Sequence, residues 1–167
     1  MDFSLSDSSA TDALGQALAC SFMKVAVESG AVLYLQGDLG AGKTTCVRSL
    51  LRSLGVAGLV RSPTYTLVET YQLAALTCVH VDLYRLQMVA EVEELGLRDL
   101  IGPRCLLMVE WAEKGGSALP AADMELILRY AGDGRQASVR FKTPLGHSWA
   151  EQLGLDSSLV SYVSNLT

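Results

Sequence analysis

The sequence predicts a single α/β domain built on a mixed parallel and antiparallel sheet flanked by helices, and three observations carry that reading. Short apolar runs of strand length alternate with helical stretches through most of the chain. A glycine-rich loop joins one of these strands directly to a helix. Two alternating runs on either side of Gly-Asp-Gly then add an antiparallel hairpin to an otherwise parallel pattern.

Taken in order, SSATDALGQALACSFMKVAVESG (8–30) places Leu14, Leu18, Phe22 and Val25 near helical spacing; Ser8, Ser9 or Thr11 offers a cap and Gly30 ends the helix. AVLYL (31–35) is too short for a helix and reads as a buried strand. After the glycine-rich loop, KTTCVRSLLRSLG (43–55) reads as a helix closed by Gly55. SPTYTLVETY (62–71) puts an exposed Ser-Pro-Thr turn before an alternating strand. LTCVHVDLY (76–84) is a second buried strand, AEVEELGLRDLIG (90–102) a short acidic helical stretch, and CLLMVEW (105–111) a third apolar strand. DMELILRYA and RQASVRFKT flank the hairpin turn, where Asp133-Gly134 is expected to supply the positive φ angles. From Pro144 the chain reads as a weakly helical tail.

Composition narrows the function. With 167 residues, half of them hydrophobic and 19% charged, the chain suits one domain able to bury a core without metal or disulfide staples. A net charge of −5 with no basic block argues against a chain that grips a nucleic-acid backbone alone. Cys20, Cys46, Cys78 and Cys105 are spread among apolar neighbours with no CxxC pair, so buried free thiols and a reducing compartment are expected. No Lys or Arg precedes Lys24, unlike a signal peptide, and no apolar run approaches the ~20 residues of a membrane span. The expectation is a cytoplasmic protein.

The loop carries the chemistry. Gly37-Asp38-Leu39-Gly40-Ala41-Gly42-Lys43-Thr44 fits GxxxxGK[ST] at every fixed position, followed by Thr45. Glycines let backbone N–H groups approach phosphate oxygens with no Cβ in the way. The helix that follows brings unpaired N–H groups and its positive dipole end to the same anion. Lys43 reaches the β and γ phosphates, and the Thr44 hydroxyl is a Mg²⁺ ligand. Residues 1–143 are therefore read as a P-loop nucleotide-binding domain, and 144–167 as a tail packed on it or trailing from it.

Such a site needs an acid at the end of a neighbouring strand. Asp82 ends CVHVD and Glu110 ends LLMVE; which acid meets the metal and which orients water is open from the residues alone. Ser62-Pro63-Thr64 lies where other P-loop proteins carry a γ-phosphate-sensing switch, although a plain turn has the same composition. From the residues alone His80 reads as a hydrogen-bonded core histidine before a catalytic one, Trp111 as a packing residue before a reader of nucleotide, and Arg135 as a solvated hairpin arginine before a nucleotide contact.

The only asparagine is Asn165, so the NKxD sequence that reads guanine is absent. No arginine cluster forms the lid of a small-molecule kinase, although that activity stays as the alternative, with a regulator that binds without turnover as a third. The set GDLGAGKTT, SPTYTLVETY, HVDLYRL, EELGLRD and VEWAEKG resembles the TsaE family, bacterial P-loop ATPases needed for the threonylcarbamoyl modification of the tRNA adenosine beside the anticodon. The resemblance runs from about the first helix to the Gly-Arg after the hairpin turn. It implies ATP at 37–45, Mg²⁺ held by Thr44 and Glu110, and Asp82 as the Walker-B-like acid and a further candidate metal ligand. It makes Ser62, Thr64, His80 and Trp111 site residues and brings Thr11 and Arg135 near the nucleoside. It also implies partners of the TsaD and TsaB kind, tRNA met through that complex, and a monomer when isolated. Ala112 departs from the proline that many relatives carry after Glu-Trp, and no motif covers the chain beyond Pro144.

Overall fold

Seven strands make one mixed sheet in a computed structural model that describes residues 1–163. In chain order they are β1 (Asp2–Leu5), β2 (Ala31–Gln36), β3 (Val68–Gln72), β4 (Thr77–Asp82), β5 (Cys105–Glu110), β6 (Met124–Ala131) and β7 (Gly134–Phe141). The helices are α1 (Ser8–Val25), α2 (Lys43–Ser53), α3 (Val89–Glu93) and α4 (Pro144–Gly154). The sheet order is β1-β7-β6-β2-β5-β4-β3, with β6, β2, β5 and β4 parallel and antiparallel strands at both sides. The expected α/β class with a mixed sheet and flanking helices is the one observed.

Period-two alternation decides what each face buries. In β2, β4 and β5, Leu33, Leu35, Cys78, Leu106 and Met108 join one core with Phe22, Leu50 and Trp149 from the helices α1, α2 and α4. Val32, Val79, Val81, Leu107 and Val109 face the other core, shared with Val92 of α3. Asp82 and Glu110 close their strands on the α2 side, in register with one another. α1 and α2 pack closely because Gly15 has no side chain: a Cβ there would sit 2.4 Å from the Cys46 carbonyl oxygen.

Several local expectations change. The cap of α1 is Asp7, whose carboxylate accepts from the Ala10 N–H, rather than Ser8, Ser9 or Thr11. That helix stops at Val25, short of Gly30. The acidic stretch is helical only over α3 and then forms a separate turn at Leu97–Leu100, because Gly96 takes φ 61°. The positive φ in the β6–β7 turn belongs to Gly132 (59°), since Gly134 already pairs with Ala131 in the ladder. Cys20 is exposed on α1 while the other three cysteines are buried, so the expectation of four buried thiols fails there. β1 is a strand the sequence does not announce, because four residues are too few to show alternation, although Phe3 and Leu5 are fully buried.

The stretch from Pro144 forms α4, capped by the Thr143 hydroxyl with Pro144 in the first turn. Trp149 anchors it: the indole is fully buried, lies 5.5 Å from the Phe22 ring and donates to the Leu18 carbonyl and the Ser21 hydroxyl. Asn165 and the rest of 164–167 lie outside the described residues. Among the described residues no helix is long and apolar enough to cross a membrane. Trp149→Ala is expected to cost about 3–5 kcal/mol, because it empties a large core volume and removes the two hydrogen bonds that the indole donates. Chemical denaturation measures this, and an unchanged midpoint would mean that α4 does not hold the domain together.

Candidate functional site

The glycine-rich loop leaves β2 and returns to the start of α2 through Gly37, Gly40 and Gly42, at φ 136°, 78° and 107°. Any other residue is strained at such angles. Space also demands glycine, since a Cβ on Gly37 would lie 2.2 Å from the Leu128 carbonyl oxygen of β6. The loop is thus pressed from outside by the sheet and ends at the α2 N-terminus, where the first-turn N–H groups have no helical acceptor.

Lys43, the first residue of α2, folds back over this loop. Its ammonium donates to the carbonyl oxygens of Gly37 (2.6 Å) and Asp38 (2.9 Å) and stands 4.0 Å from the centre of the Trp111 ring. Burial pushes its pKa below the usual lysine value, while the Glu110 carboxylate, then Glu113, Asp82 and Asp38, pull it back up. Thr44, one residue on, donates its hydroxyl to both Glu110 oxygens, at 2.8 and 3.0 Å.

The two acids meet at the sheet edge because β4 and β5 are parallel neighbours that pair Asp82 with Glu110. Both are nearly wholly buried, 3% and 2% exposed, and each is supplied with hydrogen-bond donors. Glu110 accepts from Thr44 and lies 2.9 Å from the ring Nε2 of buried His80. Asp82 accepts from the Thr64 hydroxyl (2.6 Å), the Ser62 hydroxyl (3.2 Å) and the Tyr84 N–H (2.9 Å). The Ser62-Pro63-Thr64 segment is therefore tied to the strand-end acid, and Ser62 and Thr64 are themselves 2.7 Å apart. Trp111 continues β5 in the left-handed region at φ 60°, with its N–H on the Leu35 carbonyl. That uncommon conformation lays the indole beneath Lys43 and 5.1 Å from the Tyr84 ring.

These side chains enclose a cleft of about 230 Å³ whose lining includes Lys43, Thr44, Ser62, Thr64, Asp82 and Glu110, together with Leu39 and Trp111. A second cleft of about 260 Å³ takes in Thr11, Thr45 and Arg135 and shares Gly40, Gly42 and Thr45 with the first. The candidate residues thus fall on the two sides of one loop. Gly37, Asp38 and Ala41 belong to the loop without lining either cleft; Ala41 is buried and donates its N–H to the Asp38 carbonyl. His80 lies behind Glu110, outside the lining.

Sequence reasoning missed two residues. Tyr84 reaches the cleft from beyond β4, and its place two residues after Asp82 was an available signal. Tyr130 comes across from β6, donates to the Leu39 carbonyl at 2.9 Å and lies 4.7 Å under the Arg135 guanidinium. Nothing local in the sequence links Tyr130 to the loop.

The chemistry of the donors is uniform. Thr44, Glu110, Asp82, Ser62 and Thr64 all offer oxygen, which suits a hard divalent cation such as Mg²⁺. Among the described residues no group of three or more His, Cys, Asp or Glu is placed to cage a metal. The 62–64 segment is expected to owe its order to Asp82. Thr64→Val should speed amide hydrogen exchange there while leaving β4 protected, and unchanged exchange would mean that other contacts hold the segment.

The family described as threonylcarbamoyl adenosine biosynthesis protein TsaE matches residues 5–137. The tRNA threonylcarbamoyladenosine biosynthesis protein TsaE of Haemophilus influenzae is 42% identical over 132 residues, covering 79% of this chain and 84% of that protein. The protein of the same description from Synechocystis is 42% identical over 118 residues, covering 68% and 71%. The crystal structure of Bacillus subtilis YdiB shares the fold with a TM-score of 0.77 at 27% identity, covering 93% of this chain and 94% of that one. A match that runs from the last residue of β1 into β7, with this architecture beneath it, means that the chain belongs to the TsaE family.

Proposed function

We propose that this chain is a cytoplasmic P-loop ATPase required for the threonylcarbamoyladenosine modification of tRNA. In this reading it is monomeric when isolated, acts with TsaD-like and TsaB-like proteins, and meets tRNA through that complex. Hydrolysis of ATP supports the turnover of the complex. The observation that carries the reading is a convergence at one sheet edge: glycine-loop amides, Lys43 and Thr44 stand against the buried carboxylates of Asp82 and Glu110.

Each residue then has a task. Loop amides and the α2 N-terminus bind the phosphates, and Lys43 exchanges the carbonyls of Gly37 and Asp38 for phosphate oxygens. Thr44 and Glu110 would hold Mg²⁺, with Asp82 as a further ligand or the acceptor that orients water. When bound there, Mg²⁺ supplies positive charge to the β and γ phosphates. Ser62 and Thr64 present hydroxyls to the γ-phosphate side, and Trp111 keeps the lysine aligned. Thr11 and Arg135 face the nucleoside from the second cleft. The acidic net charge suits a role directed at proteins, with tRNA held mainly by the partners.

Lys43→Ala removes a charge-assisted contact of about 1.5–3 kcal/mol, so calorimetry should find ATP bound roughly 10- to 150-fold more weakly. Unchanged affinity would contradict the role given to Lys43. Phosphate release should be slow for the isolated chain and faster with the TsaD-like and TsaB-like proteins present. A rate indifferent to saturating partners, with normal ATP binding, would overturn the partner-dependent reading. ATP consumption that needs an acceptor metabolite and frees no phosphate would indicate a kinase instead.

A further inference from the structure

His80 is fully buried on β4, and its side chain is not among those lining the cleft. It pairs with Met108 in the ladder, two residues before Glu110, so it reaches Glu110 as a diagonal neighbour on the same face of the sheet. Its Nε2 lies 2.9 Å from Glu110 Oε1, whereas its Nδ1 has no hydrogen-bond partner among the described residues. That asymmetry settles where the ring proton belongs. A proton on Nδ1 would be a buried donor with no acceptor. Without a proton on Nε2, two lone pairs would face each other at hydrogen-bond distance.

We infer that His80 is a positioning residue that donates from Nε2 to Glu110 Oε1 and aims the carboxylate at the nucleotide's metal through its other oxygen, Oε2. The inference rests on the assignment of Glu110 to that metal. Oε1 accepts from both Thr44 and His80, while Oε2 has only the 3.0 Å contact from Thr44. Oε2 therefore keeps lone-pair capacity for a cation or its water. The histidine bond is made wholly within the protein, so the carboxylate is oriented before any ligand arrives. An acid of this kind on a flexible side chain would otherwise have to lose rotamer freedom on each binding event.

Two measurements test this on the full chain. Long-range ¹⁵N–¹H correlation spectra, with the His80 signals identified by their loss in His80→Gln, are expected to show a proton on Nε2 and none on Nδ1, and Glu110→Gln should shift that Nε2–H. A proton on Nδ1, or an Nε2–H indifferent to Glu110→Gln, overturns the inference. Mn²⁺ binding in the presence of ADP, followed by electron paramagnetic resonance, is expected to weaken about 10- to 100-fold in His80→Leu. His80→Gln, which restores an N–H donor, should recover most of that loss, and ADP binding without metal should be unaffected in both. Metal affinity in His80→Leu equal to that of the unsubstituted chain also overturns the inference. If the unsubstituted chain binds no Mn²⁺ with ADP, the nucleotide reading itself fails, and the spectra still decide the His80–Glu110 bond. They decide it equally if His80→Leu does not fold.

Discussion

Two carboxylates buried side by side at the ends of adjacent parallel strands are the constraint around which this site is arranged. Asp82 and Glu110 are in register, and water reaches little of either. An ionised carboxylate in that position is tolerable only when it is well supplied with donors or positive charge. The surrounding residues meet that need: Thr44 and His80 serve Glu110, while Ser62, Thr64 and the Tyr84 N–H serve Asp82. The same hydroxyls that satisfy the acids are the groups a phosphate-bound cation would meet. Structural satisfaction and binding capacity are therefore one set of contacts.

The loop opposite these acids is held in its shape from two sides. Gly37 lies against the Leu128 carbonyl, and the Tyr130 hydroxyl bonds the Leu39 carbonyl, so β6 limits where the loop can go. On the other side Trp111, in a left-handed conformation uncommon for a residue with a side chain, supports the ammonium of Lys43. Strain of this kind persists only where the surroundings over-determine it, here the Trp111 N–H bond to Leu35 and the packing on Tyr84. The Lys43 ammonium meanwhile rests on the Gly37 and Asp38 carbonyls, the contacts that the proposed function has it exchange for phosphate oxygens.

Much of this was legible in the chain. The strands β2, β4 and β5 read as apolar runs because both their faces are buried, and the two acids stood out as charges that end such runs. The glycine-rich loop read from its glycine spacing, and its tie to α2 from the absence of any linker. The site role of Thr11 came only through the family resemblance, which also decided between the two readings of Arg135, and the two residues do share a cleft beside the loop. Cys20, the Asp7 cap and the Gly132 turn were misread because each depends on where an element starts or which way it faces, and neighbouring residues of similar type compete for that part.

By itself the sequence determined the α/β class, the glycine-rich loop between strand and helix and the two candidate acids, because these rest on local backbone freedom and on hydrophobic period, both written in consecutive residues. The tertiary structure alone decided the pairing of Asp82 with Glu110, the placement of His80 behind Glu110 rather than in the cleft, and the arrival of Tyr130 over the loop. Strand order and register set those contacts, and they join residues tens of positions apart whose types carry no mark of one another.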